Sequence, residues 1–83
     1  MRKRVLSKKA AQRAHARRRA RERYGVSLTK PSFHAIVQQI QNGKATFLGR
    51  TSLRVTEWIV PFEGAKLRVV YDRKRKTIVT CLP

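Results

Sequence analysis

Apolar positions recur with two different periods along the 83-residue chain, helical up to about residue 43 and alternating beyond it. In the first stretch Ser7 can serve as an N-cap, alanine and arginine dominate Lys8 to Tyr24, and Gly25 is a natural stop. Ala16, Ala20 and Tyr24 fall on one stripe, four residues apart. A stripe made mostly of alanine buries little area, so the part before about residue 12 is expected to be loosely held unless a partner orders it. The second helical stretch is more strongly marked. Thr29 is a cap, Pro31 suits the first turn, and Phe33, Ile36, Val37 and Ile40 recur at core-facing spacing before Asn42-Gly43 ends the pattern.

From Ala45 onward the texture is β. Thr46 to Gly49 is a short apolar run, and Trp58, Val60 and Phe62 alternate on one face of the stretch from Leu53 to Phe62. Pro61 places that strand at an edge or puts a bulge near its end, because proline cannot donate to a ladder. Glu63-Gly64 reads as a turn, Leu67, Val69 and Tyr71 alternate after it, and Asp72 to Lys76 reads as a polar hairpin tip. Ile78, Thr80 and Leu82 alternate again in the last strand. Helices followed by strands predict an α+β fold: a basic N-terminal helix and one amphipathic helix packed on a three- to four-stranded antiparallel sheet. The chain is long enough for one domain, read as residues 14–83, with residues 1–13 as a basic extension.

Charge changes this picture from a fold to a partner. The net charge is +17 from 21 basic and 4 acidic residues, and residues 1–24 hold eleven Lys or Arg against Glu22 alone. Repulsion of that size in a small domain calls for an anionic partner, and nucleic acid is the expected one. A membrane partner is not expected. No segment pairs a basic face with a bulky apolar one, and no run of about 20 apolar residues is present. Val5 and Leu6 give way at once to Ser7, Lys8 and Lys9, so the basic start lacks the apolar stretch of a signal peptide, and cytoplasmic residence is expected. Cys81 is the single cysteine, which excludes an internal disulfide and a cysteine-based zinc cluster.

The residue inventory also excludes most enzyme classes. There is no Gly-rich phosphate loop, no spaced His/Cys/Asp/Glu set and too few acids for a metal-dependent nuclease, so neither metal nor other cofactor is expected. Cleavage of RNA by its own 2′-hydroxyl suits what remains, because the protein need only move protons and stabilise charge on phosphorus. His15 is the candidate for proton transfer, with Arg19 and Arg23 following on the same helical side to hold a phosphate. The bland alternative is a polar residue in a helix that only grips phosphates. His34 reads as a boundary residue of the second helix, and Trp58 and Phe62 as core. Arg54, Lys66 and Arg68 are a solvated face unless they share the sheet surface opposite the core with Thr80 or Tyr71. Arg13, Arg17, Arg18 and the tip residues Arg73, Lys74, Arg75 and Lys76 read as phosphate contacts, and Tyr71 as a base-stacking candidate.

The order of these residues resembles a family. His15-Ala16, then Arg19, then Arg23-Tyr24-Gly25-Val26, then a Thr-capped helix ending in Gly43, is similar to the His-Ala, Arg, Arg, Gly signature of small phage and bacterial proteins. Leu67 to Asp72, a basic turn, and Thr77-Ile78-Val79-Thr80 resemble the paired strands of the same group. That group is placed among the RelE-, colicin-D- and barnase-like ribonuclease toxins. The resemblance implies a metal-independent endoribonuclease acting on tRNA, mRNA or the ribosome and leaving a cyclic phosphate. It carries His15, Arg19, Arg68 and Thr80 as catalytic positions and Arg23 and Tyr71 as RNA contacts. An acidic antidote or a host protein would be a further partner. The alternative function is a non-catalytic module that binds RNA, the ribosome or the transcription machinery; a charge-driven DNA-condensing protein is a third, which would have no use for the aromatic-bearing sheet.

Overall fold

Local signals near the chain start translate directly into the first helix. A computed structural model describes residues 7–83; the first six residues of the expected extension lie outside the described residues. Helix α1 spans Lys8–Tyr24; the Ser7 side chain accepts from the Ala10 N–H at its start. At its end Gly25 adopts the left-handed conformation (φ +66°), and the Gly25 and Val26 N–H groups return to the Arg21 and Ala20 carbonyls. The helix runs through residues 13 and 14 without a break. Helix α2, Lys30–Gln41, is capped by Thr29, whose side chain accepts from the Ser32 N–H, and buries Phe33, Ile36 and Ile40.

Strands β1 (Thr46–Arg50), β2 (Val55–Phe62), β3 (Ala65–Asp72) and β4 (Thr77–Leu82) form one antiparallel sheet in sequence order, so the described residues make a two-helix, four-stranded α+β fold. The core is a single layer between the helices and one sheet face. Val60, Leu67, Val69, Ile78 and Cys81 are fully buried there with Ala16, Ala20 and Ile36. Trp58 and Phe62 are half-buried and pack against it. Pro61 sits in β2, an internal strand, yet β1 pairs only as far as Ile59, so the side of Pro61 away from β3 is locally an edge. Its carbonyl accepts from Gln39 Nε2 at 3.1 Å, which ties α2 to the sheet.

The expected alternation of Ile78, Thr80 and Leu82 does not hold. Tyr71 pairs with Ile78 but Val70 pairs with Thr80, so Val79 is an extra residue in a bulge. The bulge shifts the phase of the strand. Ile78 and Cys81 face the core, while Thr80 joins Val70 and Glu57 on the open face. Burial pushes the Cys81 thiol up to about 11, an effect that nearby Arg23 partly offsets, so this free cysteine is an inert core residue.

Tyr24 closes the seam between α1 and the sheet. Its phenol donates to the Leu82 carbonyl and accepts from the Arg68 N–H at 3.1 Å, standing in the ladder where β3 and β4 part. Tyr24→Phe removes the partner of two backbone groups at once. A loss of about 1–2 kcal/mol is expected, lowering the thermal unfolding midpoint by roughly 5–10 °C. An unchanged midpoint in a calorimetric scan would show that the ladder end closes without the hydroxyl.

Candidate nucleic-acid interface

Helix α1 runs parallel to β4, an edge strand. Gln12 bonds to Asp72, the partner of Thr77, and Tyr24 bonds to Leu82. Twelve helical residues rise about 18 Å and five strand residues about 17 Å, so the two elements keep step. His15 therefore lies level with Ile78 and Val79, and Arg19 level with Thr80. Arg23 donates to the Cys81 carbonyl at 2.7 Å. The neighbouring Leu82 carbonyl points inward to Tyr24, so that of Cys81 points outward. The stripe His15, Arg19, Arg23 thus borders the free edge of β4, and Arg23 satisfies a carbonyl that the edge leaves unpaired. His15 is half-buried; Arg19 is ion-paired with Glu22 at 2.6 Å on the surface.

The open face of the sheet gathers a second group. Arg68 donates from Nη2 to Glu57 Oε2 at 3.0 Å, and Thr80 lies in the row formed by Glu57, Val70 and Thr80. Lys66 has the same strand parity as Arg68 and is exposed. Lys66, Arg68 and Thr80 therefore share the face opposite the core, while α1 packs on the core side and reaches the β4 edge through Arg23. Glu57 was not singled out from the sequence. A signal existed: the hairpin register around Glu63-Gly64 places Glu57 diagonally opposite Arg68 on the face away from Trp58.

Tyr71 is not on that face. Its ring is buried in the core and its hydroxyl accepts from Gln41 Nε2 at 3.3 Å, so the ring cannot stack on a base without leaving the core. The basic tip is likewise divided by structural duties. The Asp72 carboxylate accepts from the Lys74 and Arg75 N–H groups and from the Arg75 guanidinium, each within 3.0 Å. Burial opposes the charge on Asp72, but these bonds and that from Gln12 outweigh it and hold the carboxyl at about 2. Arg73 donates its N–H to the Arg54 carbonyl and its guanidinium to that of Leu53, so it pins the bend before β2, where exposed Arg54 lies. Lys74 and Lys76 remain exposed.

Arg13 and Arg17 lie on the other side of α1, toward α2. Arg17 Nε donates to the Leu28 carbonyl at 2.9 Å and its guanidinium sits 5.7 Å from the centre of the Phe33 ring. Arg18 is exposed. Trp58 donates to the Thr56 hydroxyl and meets the half-exposed Phe47 edge-on at 5.1 Å, which leaves an aromatic pair at the β1 side of the sheet. Among the described residues no three His, Cys, Asp or Glu side chains come together to hold a metal ion, and no helix is long and apolar enough to cross a membrane.

Comparisons with family models, with curated proteins and with solved structures find no match to this chain.

Proposed function

We propose that this protein binds RNA and cleaves it without a metal, as a small toxin-type endoribonuclease of the RelE/colicin-D/barnase-like kind acting on tRNA or ribosome-associated RNA. The observation that carries the reading is the Glu57–Arg68 pair with Thr80 on one open sheet face. RNA supplies its own nucleophile, so a carboxylate and a guanidinium set 3.0 Å apart match the two needs of the reaction. Glu57 takes the 2′-hydroxyl proton as the 2′-oxygen bonds to phosphorus, and Arg68 stabilises the charge that builds on the phosphoryl oxygens. The bond from phosphorus to the 5′-oxygen breaks, and His15, the sequence's candidate for proton transfer, is assigned to return a proton to that oxygen. The products are a 2′,3′-cyclic phosphate and a 5′-hydroxyl.

A second reading, a non-catalytic module that binds RNA, the ribosome or the transcription machinery, is favoured by one observation. Arg23 is committed to the Cys81 carbonyl and Arg19 to Glu22, so two members of the helical stripe have structural partners. Incubation with total tRNA and with ribosomes in excess EDTA separates the readings. Discrete fragments ending in cyclic phosphate, lost in His15→Ala, are the expected result. Tight binding with no fragments would overturn the enzyme and leave the binding module.

A further inference from the structure

The side of α1 that faces α2 builds a crevice with α2 and the start of β4 that the proposed catalytic face does not use. Two adjoining cavities of about 340 and 170 Å³ share Arg13, Lys30 and Phe33 in their walls. Three elements bring positive charge to them. Lys9, Arg13 and Arg17 form one stripe of α1, Lys30 comes from the first turn of α2, and Lys76 comes from the end of the turn between β3 and β4. Among the described residues no acidic side chain lines either cavity.

We infer that this crevice is a phosphodiester-binding subsite, in which backbone phosphates of a single-stranded stretch of the bound RNA lie between α1 and α2. The inference rests on the RNA-binding reading above and extends it to a second surface. Folding gathers these like charges around a small volume with no acid among them, which opposes compaction and is relieved by an anion. One member is already oriented. The Arg17 guanidinium is fixed by the Leu28 carbonyl and by the Phe33 ring, so less side-chain freedom is lost when its outward N–H groups meet a phosphate. Lys76 supplies a second sign of use. It holds φ at +53°, a conformation in which glycine or asparagine is more comfortable, and there a lysine adds charge to the crevice. RNA fits this better than an acidic protein segment, because the walls offer guanidinium and ammonium donors with the one aromatic ring, Phe33, buried beneath Arg17.

The test compares two triple variants of the full chain by fluorescence anisotropy with a labelled uridine decamer, over a series of salt concentrations. Arg13→Gln/Lys30→Gln/Lys76→Gln empties the crevice of three charges, and Arg21→Gln/Lys44→Gln/Arg50→Gln removes three exposed charges elsewhere. The crevice variant is expected to lose on the order of 30-fold in affinity at low salt, and its salt slope to fall by about 2, at roughly 0.7 per phosphate contact. The second variant is expected to lose less than about fivefold. Equal losses in the two variants, or none in either, would overturn the crevice while leaving RNA binding standing. Failure of the wild-type chain to bind the decamer would remove both readings. Inorganic phosphate or a heptaglutamate peptide displacing the decamer at equal charge concentration would also overturn it, in favour of a small-anion or an acidic-protein site. Circular dichroism melts confirm that both variants are folded.

Discussion

Replacing Arg68 by alanine is expected to lower RNA cleavage by about 10²- to 10³-fold while leaving RNA affinity within about threefold. The reason lies in when the guanidinium acts. A surface arginine that merely attracts RNA contributes equally before and during the reaction, and one such charge among 21 basic residues is a small share of the attraction. An arginine aimed at the reacting phosphorus matters chiefly as charge develops, so its loss falls on the rate. Glu57→Gln is expected to cost a similar factor, since the amide keeps the shape and the contact to Arg68 but cannot take the 2′-proton. Single-turnover cleavage at saturating RNA, with affinity measured in parallel, separates the two effects. If Arg68→Ala weakens binding and slows cleavage by the same small factor, the open face is only part of the electrostatic surface. If cleavage is untouched, the chemistry is elsewhere. The Arg68–Glu57 bond is solvent-exposed, so neither change should shift the unfolding midpoint by more than a few degrees.

The elements were legible because their signals are local. Ser7, Gly25, Thr29, Pro31 and the Glu63-Gly64 turn each act within a few residues, and each stands in the structure where its chemistry predicts. The face on which a strand residue lands is less local. One inserted residue at Val79 moved Cys81 into the core and Thr80 out of it, and nothing in the composition of Thr77 to Leu82 announces a bulge. Tyr71 was misleading for another reason. It alternates with Leu67 and Val69, which are core residues, and its hydroxyl is met by Gln41 from α2, so the expected base-stacking ring is buried. The Glu57–Arg68 pair was recoverable only by combining a turn with a register. The crevice was not recoverable at all, since Lys9, Lys30 and Lys76 belong to three elements that meet only when α1 and α2 pack.

Asp72→Asn is expected to destabilise the fold by about 3 kcal/mol at neutral pH, lowering the unfolding midpoint by roughly 15 °C, although the two side chains have the same shape. The four hydrogen bonds divide between the two oxygens. Oδ1 accepts from the Lys74 and Arg75 N–H groups, and Oδ2 accepts from Gln12 Nε2 and the Arg75 guanidinium. An asparagine can keep the first pair, but its amide nitrogen then faces two donors, and turning it over transfers the conflict to the backbone of the tip. Both outcomes loosen the hairpin that presents Lys76 and the contact that seats the start of α1. The effect must depend on pH, and its sign is fixed. The carboxyl is held at about 2 in the folded protein against about 3.9 in an unfolded chain. Its contribution is therefore fully present above pH 4 and lost as pH falls through 2, amounting to roughly 2–3 kcal/mol. The chain has 4 acidic side chains, so a single carboxylate should dominate the acid limb of the stability curve. Urea unfolding of both proteins at pH 7, 4 and 2 is the measurement: the gap between them should stay near its full value to pH 4 and narrow toward pH 2. A gap that is constant across the three would mean that the Asp72 charge contributes nothing, and no gap at any pH would mean that the tip is held by its backbone alone.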